Sequence, residues 1–368
     1  MKFFLAALVA SCSVFAAESQ LQNLQGCVAS GAFEAGRDYF PEKVNATESV
    51  YWDIQYFDTY KILRNELAGE TYVLYQCGTG PPASESGNGH VHFIPIPLQN
   101  GIALSSTTHI PHLELLGLRT EIKAWLGWDG YISSPCLKEL IGDESTIVVS
   151  DTSDQSAVDS LKETFGPNIV AFHNYRDHSS NLFNVTVSAY QEQTNEAIFE
   201  WNKFFAVFFN LELKATELFY ENQRRYQCYA EEAVDIVDVA DSGVKPTLLW
   251  ATYTNYTGVD GWNVAQCPNY YCEYAELCAA DFVQSRDGTI DYYGSKLFTT
   301  EAFVQLAKDA DHWIYPSANW EEAYEAYGTQ LDQFVSVQNQ QVFDTEGAGS
   351  NAWFENRLAE YGKSNLCA

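Results

Sequence analysis

Residues 196–222 read EAIFEWNKFFAVFFNLELKATELFYEN. Large apolar side chains crowd this stretch, in a chain whose formal net charge is −29. Ile198, Trp201, Phe205, Phe208 and Leu211 recur at spacings of three and four, and so do Phe204, Val207, Leu211, Ala215 and Leu218. Both rows describe a helix. Together they cover more than half its circumference, whereas a surface helix carries one apolar stripe roughly 100° wide. Glu200, Lys203, Glu212, Lys214 and Glu217 are read as a narrow solvated edge, and their charges exclude a membrane span. A helix packed against two separate lobes explains the pattern, and it permits only small lobe rotations.

The flanks support that division. Before the helix, SVYWDIQYF, TYKILRN, ETYVLYQC and HVHFIPIPL alternate aromatic or β-branched with polar residues, as half-buried strands do. STTHIPHLELLGL follows as a capped helix, then STIVVSD as a strand, DQSAVDSLKETFG as a helix ending at Gly166, and NIVAFHNY as a strand. Strand–helix–strand alternation implies a parallel or mixed α/β sheet. KPTLLWATYT opens a second alternation after the helix. The predicted fold is therefore α/β: two Rossmann-like lobes joined by one long backbone helix, with the ligand cleft between them. The predicted boundaries are a signal peptide over 1–16, a first lobe over 17–190, the connecting helix over 191–229 and a second lobe over 230–368.

At 368 residues the chain exceeds what one core usually organises. MKFFLAALVASCSVFA carries Lys2, an apolar run and small or tolerated residues before a cleavage point after Ala16, as a secretory signal does. A lipoprotein signal ending at Cys12 is the rival reading. Without Cys12, eight of the nine cysteines remain, an even number that implies up to four disulfides in an exported chain. Asn45-Ala-Thr, Asn184-Val-Thr and Asn255-Tyr-Thr are glycosylation sequons consistent with secretion. Loss of Lys2 takes the net charge to −30, which argues against nucleic acid and anionic membrane as partners. No transmembrane helix is expected after the signal.

Four stretches in order resemble the substrate-binding proteins whose two lobes are joined by a single long helix, which serve bacterial importers for cobalamin, iron-siderophores and haem. They are IPLQNGIALSSTTHIPHLELLGLRTEIKAW with GYISSP; the central helix EAIFEWNKFFAVFFNLELKATELFYENQRRY; KDADHWIYP; and GAGSNAWFENRLAEY. The central helix is the most specific of them. Because the chain reads as eukaryotic and secreted, it is also similar to algal cobalamin acquisition proteins, and this puts cobalamin first among the ligands. Its eight mature cysteines and several sequons depart from the bacterial pattern.

A large, flat, partly apolar ligand wants aromatic walls with a few polar contacts. The stretches that resemble the family's cleft loops offer Tyr75 and Gln76, Thr107 and Thr108 at a helix start, Trp128 and Tyr131 in GWDGYISSP, Trp262 and Tyr270 in the second lobe, and Trp353, Phe354 and Glu355 near the C-terminus. For each aromatic, plain core packing is the competing reading. In the bacterial relatives an acid on each lobe meets the permease. Glu114 matches the first position and Glu273 or Glu276 the second, with a solvated helix charge as the competing reading.

His90 and His92, and His109 and His112, are spaced as pairs that share a strand face and a helix face. The family's metal-ligand spacing is not evident, so these histidines are read as ordinary ones and no metal ligand is assigned. Tyr or His as haem ligands stay open. The sequence has no G-x-S-x-G, Walker loop, strand-linked G-x-G-x-x-G or HExxH, so no enzyme activity and no catalytic residue are assigned. The expected function is extracellular capture of a cofactor-sized small-molecule ligand, cobalamin first, for uptake, with a membrane receptor or transporter as the further partner and no required cofactor. Iron-siderophore or haem binding is the alternative, and a secreted metal-binding protein or hydrolase comes third.

Overall fold

A computed structural model describes residues 22–83, 91–175, 182–239, 244–256, 258–286 and 294–359. After an irregular segment, β1 (Trp52–Tyr56), β2 (Tyr60–Asn65), β3 (Glu70–Gln76) and β4 (Val91–Ile96) form a sheet in that order, antiparallel except for the β3–β4 pair. The predicted strands are thus present, but in a sheet of their own. The first lobe proper alternates β5 (Ile102–Leu104), α1 (Ile110–Leu115), β6 (Ile122–Leu126), α2 (Pro135–Gly142), β7 (Ile147–Val149), α3 (Gln155–Phe165), β8 (Val170–His173) and β9 (Phe183–Thr186). Its five strands are parallel in the order β7-β6-β5-β8-β9. The order reverses between β5 and β8, the place where open α/β sheets bind ligands beyond the strands' carboxyl ends.

The opening stretch then departs from its expectation. It forms two helices, α4 (Asn195–Ala206) and α5 (Glu212–Val239), rather than one. In a straight helix Phe199 and Phe219 would lie about 30 Å apart. Here they stack with centroids 6.3 Å apart, and the Lys203 ammonium lies 4.0 Å from the Phe219 ring. The segment is an antiparallel hairpin. Asn210 turns it with φ +56°, a left-handed conformation asparagine tolerates, and Leu211 N closes back on Ala206 O at 3.1 Å. From β2, the buried Lys61 ammonium donates to Val207 O at 2.9 Å, to Asn210 Oδ1 at 2.8 Å and to the buried Glu212 carboxylate. Asn23 donates to Glu212 Oε2 at 2.8 Å, and Asn210 Nδ2 reaches Gln76 Oε1 at 3.1 Å. The reversal is therefore built into the polar side chains around it.

This explains the two-faced apolar pattern. On one side of α4, Phe204 meets Trp52 and Tyr72 of the first sheet at 6.2 and 6.3 Å. On another, Phe205 meets Phe172, His109 and His112 at 5.2, 5.5 and 5.5 Å. The third side faces α5. The helix is buried mainly between two sheets of the first lobe, and its first turns also meet the second lobe through Asn195 and Phe199. Glu200, Lys203 and Glu212 are correspondingly buried, not a solvated edge. Glu200 bonds Lys203 Nζ at 2.7 Å and accepts the Thr47, Glu48 and Ser49 amides at 2.8–2.9 Å. Burial pushes its carboxyl up, but these bonds outweigh burial and hold it below its usual value.

The connector is α5 alone. Its 28 residues span about 42 Å, reaching well past residue 229 before the second lobe begins. That lobe comprises β10 (Thr247–Tyr256), β11 (Val259–Ala265), α6 (Tyr270–Leu277), β12 (Asp281–Phe282), β13 (Ser295–Phe298), α7 (Thr300–Ala307), β14 (His312–Tyr315), α8 (Trp320–Leu331), α9 (Val335–Gln338), β15 (Val342–Asp344) and α10 (Ala352–Asn356). Its sheet runs β13-β11-β10-β14-β15, with β12 also on β10. β14 pairs parallel with β10 and β15, while β11 is antiparallel to both β10 and β13. The second lobe is thus a mixed sheet. Phe199 and Phe219 join Tyr274 and Ala359 in a cluster that packs the connector against the second lobe.

Cys27–Cys77 and Cys267–Cys272 are disulfides and Cys278 is also bridged. Cys136 and Cys228 are free thiols, so the even count does not resolve into four bridges. Among the described residues no helix is long and apolar enough to cross a membrane.

Candidate functional site

The first lobe builds its side of the cleft from the loops after β5, β6 and β8. Ser106 Oγ contacts Thr108 Oγ1 and accepts from Asn174 Nδ2, both at 2.8 Å, and Asn174 Oδ1 meets His109 Nε2 at 2.7 Å. This chain of bonds ties the two diverging loops together. After β6, Trp128 and Tyr131 pack edge to face with centroids 4.5 Å apart. A Cβ on Gly130 would lie 2.4 Å from the Trp128 ring, so glycine lets the indole rest on the backbone. Trp128 and Tyr131 are nonetheless 63% and 57% exposed. The two rings are thus held against each other and present an aromatic surface to the cleft.

The second lobe contributes the start of α6. Asn269 Oδ1 accepts from Tyr271 N at 2.6 Å and caps the helix. The Cys267–Cys272 bridge closes the same turn. Tyr270 and Tyr271 lie 4.4 Å apart. α10 forms the third wall and packs on α1 and the Thr107–His109 turn of the first lobe. Between these walls lie two chambers that share Phe354. One, about 390 Å³, is lined by Ser106, Thr107, Trp128, Tyr131 and Asn351. The other, about 570 Å³, is lined by Asn174, Tyr175, Tyr190, Tyr270, Tyr271 and Arg357.

The structure thus gathers Thr107, Trp128, Tyr131, Tyr270 and Phe354 around one cleft, with Thr108 bonded just behind it. Other candidates lie elsewhere. Tyr75 is on β3 in the first sheet, and Gln76 beside it is buried, donating to Gly26 O at 2.7 Å. Trp262 is fully buried, stacks on Phe303 at 4.5 Å and donates to Thr300 Oγ1 at 3.2 Å. It is core, and its glycine- and asparagine-rich surroundings belong to the strand β11. Trp353 packs on Trp250 and Tyr274 at 5.8 and 5.9 Å behind the cleft wall. Tyr175, Tyr190, Tyr271 and Arg357 escaped the sequence reading. Tyr271, next to Tyr270 at a helix start, carried the same signal as its neighbour.

Three acids expected to face a partner are placed differently from one another. Glu114 accepts from Arg119 Nε at 2.8 Å and Ser134 Oγ at 2.6 Å within the first lobe. Glu276 is exposed. Glu273 is turned inward: it crosses between lobes to accept Asn195 N and Nδ2 at 2.6 and 2.9 Å, at the first turn of α4. Glu355, which the sequence offers as a ligand contact, does the same at α2, accepting Ser133 N and Ser134 N at 2.6 and 2.9 Å. Two glutamates of the second lobe therefore each cap a helix of the first.

Burial, with Glu196 and Glu276 nearby, lifts the Glu273 carboxyl to about 7, against the Asn195 bonds that lower it. A folded-state value above the ordinary 4.5 means that its contribution is complete below about pH 4.5 and is lost as pH rises through about 7. Glu273→Gln is expected to flatten the fall in stability between pH 5 and 8 by about 1–2 kcal/mol, after allowance for partial solvent access. Melting curves across that range test it, and an unchanged slope would count against this contact.

His109 and His112 are buried against Phe205, and burial lowers both to about 3, so they stay neutral. His92 stacks on Tyr72 at 5.6 Å, while His90 lies outside the described residues. Among the described residues no group of three or more His, Cys, Asp or Glu is placed to hold a metal.

No protein-family model matches the chain. An uncharacterized lipoprotein of Methanocaldococcus jannaschii is 27% identical over 147 residues, 39% of this chain and 32% of that one, so the chain spans about a third of the length of this curated relative. Among solved structures, the periplasmic haem-binding protein HutB of Vibrio cholerae superimposes with a TM-score of 0.51 at 12% identity, covering 72% of this chain and 97% of that one. A periplasmic haem-binding protein of Pseudomonas aeruginosa gives 0.50 at 12%, covering 72% and 92%. A periplasmic binding protein of Veillonella parvula gives 0.50 at 13%, covering 71% and 90%. The fold is the two-lobed α/β fold of the class III periplasmic binding proteins.

Proposed function

We propose that this chain captures a cofactor-sized ligand between its lobes, outside the cell, for delivery to an uptake system. The observation that carries this reading is the paired chamber at the strand-order reversal, walled by rings from both lobes with Phe354 between its halves. Cobalamin leads on the resemblance to algal cobalamin acquisition proteins. Haem is the second reading, favoured by the two haem-binding structures that share the fold. An iron-siderophore fits the same cleft chemistry. Capture needs no covalent step: aromatic walls cover the ligand's faces and the Ser106–Asn174–His109 chain holds the loops in register. The exposed Asn45 and Asn255 and the disulfides agree with a secreted glycoprotein.

Native mass spectrometry with cyanocobalamin and hemin, backed by Trp fluorescence titration, tests this. A one-to-one complex and quenching at micromolar ligand are expected for one of the two. Binding of neither would remove both named ligands.

A further inference from the structure

We infer that Arg357 reads an oxyanion on the captured ligand, a carboxylate or phosphate beside a flat apolar surface. This rests on the cleft being the ligand site. Arg357 follows α10 and lines the larger chamber. Its guanidinium carbon lies 4.4 Å from the Tyr270 ring centre, 5.5 Å from Tyr271 and 5.9 Å from Phe354. The guanidinium has a side-chain hydrogen bond with Tyr270, but Nε and Nη1 are shut off from solvent and meet no hydrogen-bond partner among the described residues. Nor does any described carboxylate form an ion pair with it, in a chain with 49 acidic residues.

Among the described residues the acid in that chamber's lining is Glu192, and it is already committed elsewhere. It is buried, engages Ser49 Oγ and accepts Trp201 Nε1 at 3.1 Å. Arg357 is thus the one cation among the described residues of that lining, and the one acid there bonds to other groups. Buried guanidinium N–H groups without acceptors are costly, and aromatic stacking offsets only part of that cost. A planar fork matches the two oxygens of a carboxylate or phosphate, and here it is already oriented by rings on which a flat ligand would also lie.

The test uses the full secreted chain with hemin, which carries two carboxylates, hemin dimethyl ester, which carries none, and cyanocobalamin, which carries a phosphodiester. Affinities are compared for the wild type, Arg357→Gln and Arg357→Lys, with melting curves to confirm folding. Arg357→Gln is expected to weaken the oxyanion-bearing probe by about 10- to 100-fold, the range for hydrogen bonds to a charged group. For hemin, the ester's affinity should not change, and Arg357→Lys should recover part of the loss. A loss for hemin identifies a carboxylate and a loss for cyanocobalamin a phosphate; either supports the assignment. Equal binding of every probe that binds by wild type and Arg357→Gln overturns it while leaving the cleft as the ligand site. Failure of the wild type to bind any probe overturns both.

Discussion

Lys61→Met is expected to destabilise the first lobe by about 3–5 kcal/mol, the range for removing one partner of a buried ion pair. Lys61 and Glu212 are both fully buried, and the lysine also holds Val207 O and Asn210 Oδ1 at the hairpin turn. Burial pulls the ammonium down, and Glu212 works against that. Methionine fills the space but leaves the Glu212 carboxylate without its cation. Guanidinium unfolding curves measure the loss. A second change, Glu212→Leu, in the same chain should recover much of it, because an apolar pair removes the stranded charge. A loss under about 1 kcal/mol for Lys61→Met would mean that the turn does not depend on this pair.

Trp262→Ala and Trp128→Ala should separate cleanly. Trp262 is 0% exposed and sits among Phe303, Trp313 and Tyr253. Its loss is expected to cost about 3–5 kcal/mol of stability while leaving the affinity of the folded protein near that of the wild type. Trp128, 63% exposed on the cleft wall, should show the reverse. Its removal is expected to change stability by less than about 0.5 kcal/mol and to weaken ligand binding at least about tenfold. Equal effects of the two changes on binding would mean that the cleft is not where the ligand sits.

The fold class was legible because it rests on periodicity. Alternation in TYKILRN and ETYVLYQC, and the strand–helix–strand run from Ile147 to His173, are local signals that burial on one face enforces. The hairpin was not legible by the same means. Apolar spacing of three and four continues through 207–211, while the chain turns at Asn210 in a left-handed conformation that Lys61, far away in sequence, braces. The charged residues of that stretch misled for a related reason: spacing shows that Glu200 and Lys203 share a helix face, but not that residues 47–49 come back to cover it.

At the site, Trp128 and Tyr131 come from the resemblance of GWDGYISSP to the family's cleft loops, and both line the smaller chamber. Trp262 follows a glycine as well, yet Gly261 serves β-sheet packing, where a Cβ would lie 2.7 Å from Phe298 O. Arg357 gave no local sign. Its meaning lies in the absence of an ion-pair partner among the described residues, and that depends on three elements meeting in space.

The central claim is that one ligand is held by loops of both lobes at once. Hydrogen exchange followed by mass spectrometry, with and without whichever of cyanocobalamin or hemin binds, tests it most directly. Slowed exchange is expected together at residues 105–109, 127–131, 268–271 and 351–357, with the first sheet, β1–β4, unchanged. Protection confined to one lobe, or centred on that sheet, would contradict the account.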